Sequence, residues 1–153
     1  MDRRTVLALT GAALMSGAAA EAPMKTIPTM ATGGQGRFHR IYADAAGESR
    51  MEELSIADGV KPAPMVSMTP RNYNPTNVGW HNAPYKTFVI NTTGWLEVEL
   101  SDHSRHRVGP GDLMYMEDLT GKGHVTRLQG TGVTCLFLRV PDDFDVHAWA
   151  KGG

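Results

Sequence analysis

The sequence predicts an all-β fold, either a sandwich or a small closed barrel. Short strand-like segments are numerous, and turn signals separate them about every 8 to 12 residues. No long segment has a helical pattern, and only residues 144–150 near the end could form a short helical turn. The strands that we expect are Phe38–Ala43, Met51–Ile56, Tyr85–Asn91, Trp95–Leu100, Arg105–Val108 and Leu113–Met116.

The clearest strand is Trp95–Leu100, in which apolar and acidic residues alternate with a period of two. The alternation predicts a buried face and an outer face, formed respectively by Leu96, Val98 and Leu100 and by Trp95, Glu97 and Glu99. The short apolar run Met65–Met68 is different, because prolines flank it on both sides, among them Pro70. Proline cannot donate to a sheet ladder, so this run is not expected to be a central strand.

The first twenty residues have the pattern of an export signal. Arg3 and Arg4 precede a mildly apolar run that ends in Ala18–Ala20, which suits a signal peptidase and the twin-arginine route. The apolar stretch is shorter than the roughly 18 to 20 residues of a membrane span. We therefore expect a signal at 1–20, a flexible linker at 21–36, a barrel at 37–141 and a tail at 142–153, in a periplasmic or secreted protein. The alternative is a disordered start on a cytoplasmic protein.

Composition excludes some classes of partner. The net charge is −1, so there is no electrostatic case for nucleic acid or for an anionic membrane. The single cysteine, Cys135, cannot form an internal disulfide, and its apolar neighbours predict a buried core residue.

One stretch resembles the first motif of the cupin superfamily, which contains two closely spaced histidines, a glutamate and a closing glycine. With Gly94 as the closing glycine, His81 takes the place of the first histidine. Ala83 and Thr87 then stand where the family has its second histidine and its glutamate. Two of the four usual metal ligands are therefore missing.

A second stretch resembles the family's second motif. Gly111–Met116 is similar to its glycine–aspartate strand, and His124 takes the place of its histidine. The resemblance covers about residues 38 to 140. It implies a double-stranded β-helix, or jelly-roll barrel, with a small-molecule site inside, and it implies that His81 and His124 meet there.

Strand alternation extends this site. If His81 points inward, Tyr85 and Thr87 do so too, and His124 brings Thr126 with it. The predicted lining is two imidazoles, a phenol and hydroxyls among apolar side chains. Thr87 and Thr126 are therefore candidate substrate-binding residues.

The chemistry of this site has three alternatives. A single divalent ion of iron, manganese, zinc or nickel could be held by His81, His124 and either Glu117 or Asp118, because such metals need three or more ligands. Without metal, His124 and one of these acids could form an acid–base pair while His81 and Tyr85 polarise an oxygen. The histidines could also be purely structural, and Asp118 could simply cap a turn.

Lys122 lies between two glycines, which permit close approach to a ligand. It is a candidate substrate-binding residue, with a solvated loop lysine as the alternative.

The functional prediction is an exported protein that binds a small organic molecule in its barrel. It would be either an enzyme, namely a lyase, isomerase or oxygenase, or a non-catalytic binding or sensing module. The resemblance implies a homodimer, since cupins commonly pair their sheets, and an exposed edge near Phe38–Ala43 could serve for this.

Overall fold

The structure is a computed structural model that describes residues 36–73 and 78–153, apart from the side chains of 130 and 131. The predicted signal at 1–20 and nearly all of the predicted linker lie outside the described residues. Within the described ranges, no helix is long and apolar enough to cross a membrane.

The prediction of an all-β fold is confirmed, since the described residues form eight strands and one short helix. In chain order these are β1 (Phe38–Ala43), β2 (Ser49–Leu54), β3 (Ser67–Tyr73), β4 (Val78–His81), β5 (Thr87–Glu99), β6 (Arg105–Val108), β7 (Leu113–Met116), β8 (His124–Arg139) and α1 (Val146–Ala150).

The strands form a sheet in the order β2-β1-β7-β5-β8-β3, with β4 also paired to β8 and β6 to β5. Only the β1–β7 pair is parallel among these described pairings. The two long strands, β5 and β8, pair with each other from Thr87–Arg139 to Glu99–Val125. They form the centre of the sheet, since β6 and β7 also pair with β5, and β3 and β4 also pair with β8.

The long strands bend together near Gly94. The β5–β8 register shifts twice between Asn91 and Trp95, and Gly94 has a φ of +70°. A Cβ at Gly94 would lie 2.7 Å from Cγ2 of Val133 on β8, so only glycine fits this crossing. The sequence predicted two separate strands on either side of Gly94. They are two halves of one bulged strand.

Both halves of β5 and β8 contribute to one core. The alternation predicted for Trp95–Leu100 is confirmed, since Leu96, Val98 and Leu100 are at most 3% exposed. They pack with inward residues of the other half and of neighbouring strands, including Ile41, Val89, Met114, Leu128 and Cys135. Each fully buried aliphatic side chain contributes about 1.5–3 kcal/mol. This arrangement is consistent with a jelly-roll barrel.

The C-terminal residues cover the outer face of the barrel. Phe144, Val146 and Ala150 are buried against aromatic residues of β1, β5 and β7, namely Phe38, Phe88 and Tyr115. Asp145 caps α1 by accepting from the backbone N–H groups of His147 and Ala148 at 2.9 and 3.0 Å. The segment predicted as a tail at 142–153 is therefore a packed part of the fold.

The predicted dimer edge is wrong, because β1 lies between β2 and β7. Among the described strands, β2 and β3 end the main strand order, and β4 and β6 also pair on one side only. β3 contains Pro70, which agrees with the expectation that the proline-rich region is not central. The apolar residues exposed beside it are Met65, Val66 and Met68.

Candidate functional site

A cavity of about 330 Å³ lies inside the barrel, between the two halves of the bent sheet. Small-molecule sites in proteins begin at about this volume. One wall comes from β4, the second half of β5 and the first half of β8. The opposite wall comes from β3, β7, the first half of β5 and the second half of β8. Apolar side chains form most of the lining, among them Val78, Val89, Leu96, Met114, Met116, Leu128 and Phe137.

His81 and His124 lie side by side at one end of this cavity. They are register partners on β4 and β8, and their ring centroids are 4.3 Å apart at an interplanar angle of 58°. His81 lines the cavity, whereas His124 is fully buried. The structure thus brings together the two imidazoles whose meeting the sequence predicted.

Asp118 forms a hydrogen-bonded pair with His124. Its Oδ2 is 2.6 Å from Nδ1 of His124, and both side chains are completely buried. An ionised carboxylate can only accept, so Nδ1 of His124 donates to it, and in the neutral ring Nε2 keeps its lone pair. That Nε2 has no hydrogen-bond partner among the described residues.

The tautomer of His81 is fixed in the same way. Its Nδ1 lies 2.8 Å from the carbonyl oxygen of Gly79, which can only accept. In the neutral ring, Nε2 of His81 is therefore an acceptor too. In their neutral forms, the two neighbouring imidazoles each have an unprotonated Nε2, and His81 is the one of the two that lines the cavity.

Asn82 fixes the loop that carries Asp118. Its Nδ2 donates to the carbonyl oxygens of Asp118, Thr120 and Gly121 at 3.1, 2.9 and 3.3 Å. Because Asn82 follows His81 directly, one short segment positions both His81 and the partner of His124. Sequence reasoning missed this role, since nothing in the local pattern separates Asn82 from an ordinary turn asparagine.

Gly123 lets the same loop pass close to His81. Its φ is +71°, and a Cβ there would overlap with the carbonyl oxygen of His81 and lie 2.7 Å from its carbonyl carbon. The backbone on either side of the histidine pair is therefore in direct contact, and this contact requires glycine.

Three other predicted residues lie at the cavity. Tyr85, Thr87 and Thr126 all line it. Thr87 is 2% exposed, and its hydroxyl donates to the carbonyl oxygen of Phe88 at 3.1 Å. The ring of Tyr85 lies 4.8 Å from Cζ of Arg139. Their roles in binding or catalysis stay predictions.

Glu117 is not where the acid–base hypothesis needs it. Along β7, Met114 and Met116 point into the cavity, so Tyr115 and the following Glu117 point outward. Glu117 forms an ion pair with Arg40 there. Burial raises the pKa of Tyr115 well above its ordinary value, and the nearby charge of Glu117 raises it further. The acid beside His124 is Asp118, the other candidate.

Lys122 is also placed away from the cavity. Its Nζ forms an ion pair with Glu48, and its side chain is 62% exposed. Its backbone N–H donates to the carbonyl oxygen of Gly47 at 2.9 Å. The alternative of a solvated loop lysine fits this position, and a contact with a bound ligand does not.

The residues at this site do not fit the metal that the family resemblance implies. Within residues 36–73 and 78–153, no three His, Cys, Asp or Glu side chains are grouped to hold a metal ion. Ala83 and Thr87 offer no ligand in place of the missing ones. Asp118 is engaged with the far nitrogen of His124, where it orients the ring instead of facing a shared ion.

Cys135 also lines the cavity, at 1% exposure. Burial raises the pKa of its thiol to about 11. Only the thiolate is nucleophilic, so the thiol is unreactive near neutral pH and serves no evident nucleophilic role.

The fold and the cavity define an all-β barrel protein with a ligand-sized internal pocket. No family model matches the chain, and no curated protein is significantly similar to it. A solved structure from Salmonella typhimurium LT2, described as a candidate ethanolamine utilization protein Q, aligns with 73% of this chain and 100% of its own length. The identity is 15% and the TM-score 0.37, so the fold class rests on the strand topology described above.

Proposed function

We propose that this chain binds a small organic molecule inside its barrel, in the manner of a cupin-like binding protein. The observation that carries the proposal is the cavity of about 330 Å³ with a mainly apolar lining and a few polar groups at its walls. This combination is typical of small-molecule sites, in which apolar contacts supply affinity and polar groups fix orientation.

A second candidate function is acid–base catalysis on the bound molecule. It is favoured by the buried Asp118–His124 pair, 2.6 Å apart, against which the His81 ring packs. His81 Nε2 could take a proton from a hydroxyl or from a carbon beside a carbonyl and return it elsewhere, which is isomerase or lyase chemistry. The carboxylate of Asp118, on the far side of the His124 ring, would stabilise the resulting positive charge on His81 electrostatically. This role fails if nitrogen NMR finds the His81 proton on Nε2.

Export and dimer formation belong to the same proposal. Export is supported only by the sequence of residues 1–20. A dimer is supported by the apolar residues Met65, Val66 and Met68, which are exposed at the β3 end of the sheet. Mass spectrometry of the protein expressed in bacteria tests export, and an uncleaved N-terminus in the cytoplasm would contradict it. The molecular mass in solution tests the dimer, and the mass of a monomer would contradict it.

Cys135 gives a direct readout of cavity occupancy. We expect benzoate, benzamide or benzyl alcohol to slow its alkylation by iodoacetamide, since Cys135 lines the cavity and a bound molecule restricts the access of the reagent. At a ligand concentration of ten times Kd, the rate should fall about tenfold. Mass spectrometry at pH 9 measures this rate.

Two variants on β8 provide the matched control. Thr126→Trp places a large ring in the cavity, which is expected to slow the alkylation by itself and to abolish any further slowing by a probe. Gln129→Trp adds the same ring on the exposed face and should leave both rates unchanged. The proposal is wrong if no probe protects Cys135 in the unmodified protein. It is equally wrong if protection survives in Thr126→Trp.

A further inference from the structure

The charged residues that line the cavity are of one sign only. Among the described residues that line it, Arg71 is the only one with a permanent charge, and no aspartate or glutamate is present. The remaining lining is apolar or neutral and polar. A cavity with such a lining repels cations and has one group able to balance a negative charge.

Arg71 is placed to meet a ligand. It is the register partner of Cys135, a cavity residue, and its Cζ lies 5.0 Å from the ring centroid of Phe137, another cavity residue. No carboxylate of residues 36–73 and 78–153 forms an ion pair with Arg71, whereas Arg40 and Arg50 are each paired with two acids. The contact with Phe137 keeps the guanidinium at the cavity, where its N–H groups can donate to a ligand.

We propose that Arg71 makes the cavity selective for small organic monoanions, and for carboxylates in particular. A guanidinium donates two parallel hydrogen bonds to a carboxylate, which adds both energy and orientation. The apolar part of the ligand would contact the lining beyond Phe137. Arg71 is the only permanent cation among the described lining residues, so a dianion would leave one charge unbalanced while the His81 ring is neutral. This inference rests on the proposed function, since it names the class of molecule that the cavity takes.

The experiment compares benzoate with benzamide, which has nearly the same shape but no charge. In the unmodified protein we expect benzoate to bind about tenfold more tightly than benzamide, the ratio that one charge-assisted contact at a partly exposed site provides. Isothermal titration calorimetry measures both dissociation constants. Arg71→Gln should weaken benzoate about tenfold and leave benzamide unchanged, which removes the preference.

Arg107→Gln is the matched control. Arg107 is also exposed and stacked on an aromatic ring, with its Cζ 5.3 Å from the centroid of Trp95, but it does not line the cavity. Its replacement removes the same charge from the protein and should leave the preference for benzoate intact. Equal unfolding midpoints for the two variants would exclude a folding defect as the cause.

Two outcomes would overturn the inference. One is equal affinity for benzoate and benzamide in the unmodified protein, and the other is a preference for benzoate that persists in Arg71→Gln. In either case both probes still bind, so the proposed function stands. If neither probe binds the unmodified protein, the proposed function itself fails.

Discussion

Gly123→Ala is expected to destabilise the protein by about 3 kcal/mol or more and to abolish probe binding. The new Cβ would overlap with the carbonyl oxygen of His81 and lie 2.7 Å from its carbon. Both contacts are with backbone, so no side chain can rotate away to relieve them. The loop and β4 must separate, and His81 must then move away from His124. Urea unfolding followed by tryptophan fluorescence measures the loss.

Gly59→Ala separates this steric effect from the cost of the backbone angle. Gly59 has a φ of +76°, close to that of Gly123, but a Cβ there would meet nothing within 4 Å. Its replacement should cost only the left-handed penalty of about 1–2 kcal/mol and leave probe binding unchanged. If the two variants lose equal stability, the close contact between the loop and His81 does not exist.

Asp118→Ala is expected to cost about 3 kcal/mol, because it leaves the buried Nδ1–H of His124 without an acceptor. Asp118→Asn should cost less, about 1 kcal/mol, since the amide oxygen can still accept from Nδ1. The measurement is the free energy of unfolding in urea at constant pH.

Asp143→Ala is the control for loss of an aspartate, because Asp143 is exposed on the C-terminal segment. It should change stability by no more than about 0.5 kcal/mol. If Asp118→Ala behaves like Asp143→Ala, the Asp118–His124 pair is absent or contributes nothing, and His124 has no fixed orientation.

The sequence predicted the all-β fold because alternation is a local property. The residues Leu96, Val98 and Leu100 reveal a buried face whatever their partners are. The continuity of β5 was missed, since Gly94 reads locally as a turn. Only the packing of Val133 against it shows that the strand bends and continues.

The candidate site was predictable in part. Family-like spacing was enough to bring His81 and His124 together, and alternation identified Tyr85, Thr87 and Thr126 as cavity residues. The sequence around Glu117 and Asp118 did not show which of the two acids lies beside His124. It depends on where β7 ends, because Glu117 still donates its N–H to Ile41 of β1 and so keeps the outward direction of the strand. β7 ends at Met116, and Asp118 lies beyond this last backbone contact with β1.

Arg71 could not be found from the sequence, because its segment was expected to lie outside the central sheet and its partner Cys135 is 64 positions away. Asn82 was missed for a related reason, as its three acceptors lie in a loop 36 to 39 positions later. Contacts between distant loops leave no periodic pattern in the chain.

Long-range proton–nitrogen NMR of the histidine side chains tests the central claim most directly, namely that two imidazoles with fixed tautomers meet at the inner end of the cavity. The spectrum should be taken at a pH at which both rings are neutral, and His81→Phe assigns the signals. We expect His81 and His124 both to carry the proton on Nδ1, held by Gly79 and Asp118 respectively. A proton on Nε2 of either ring would contradict the account.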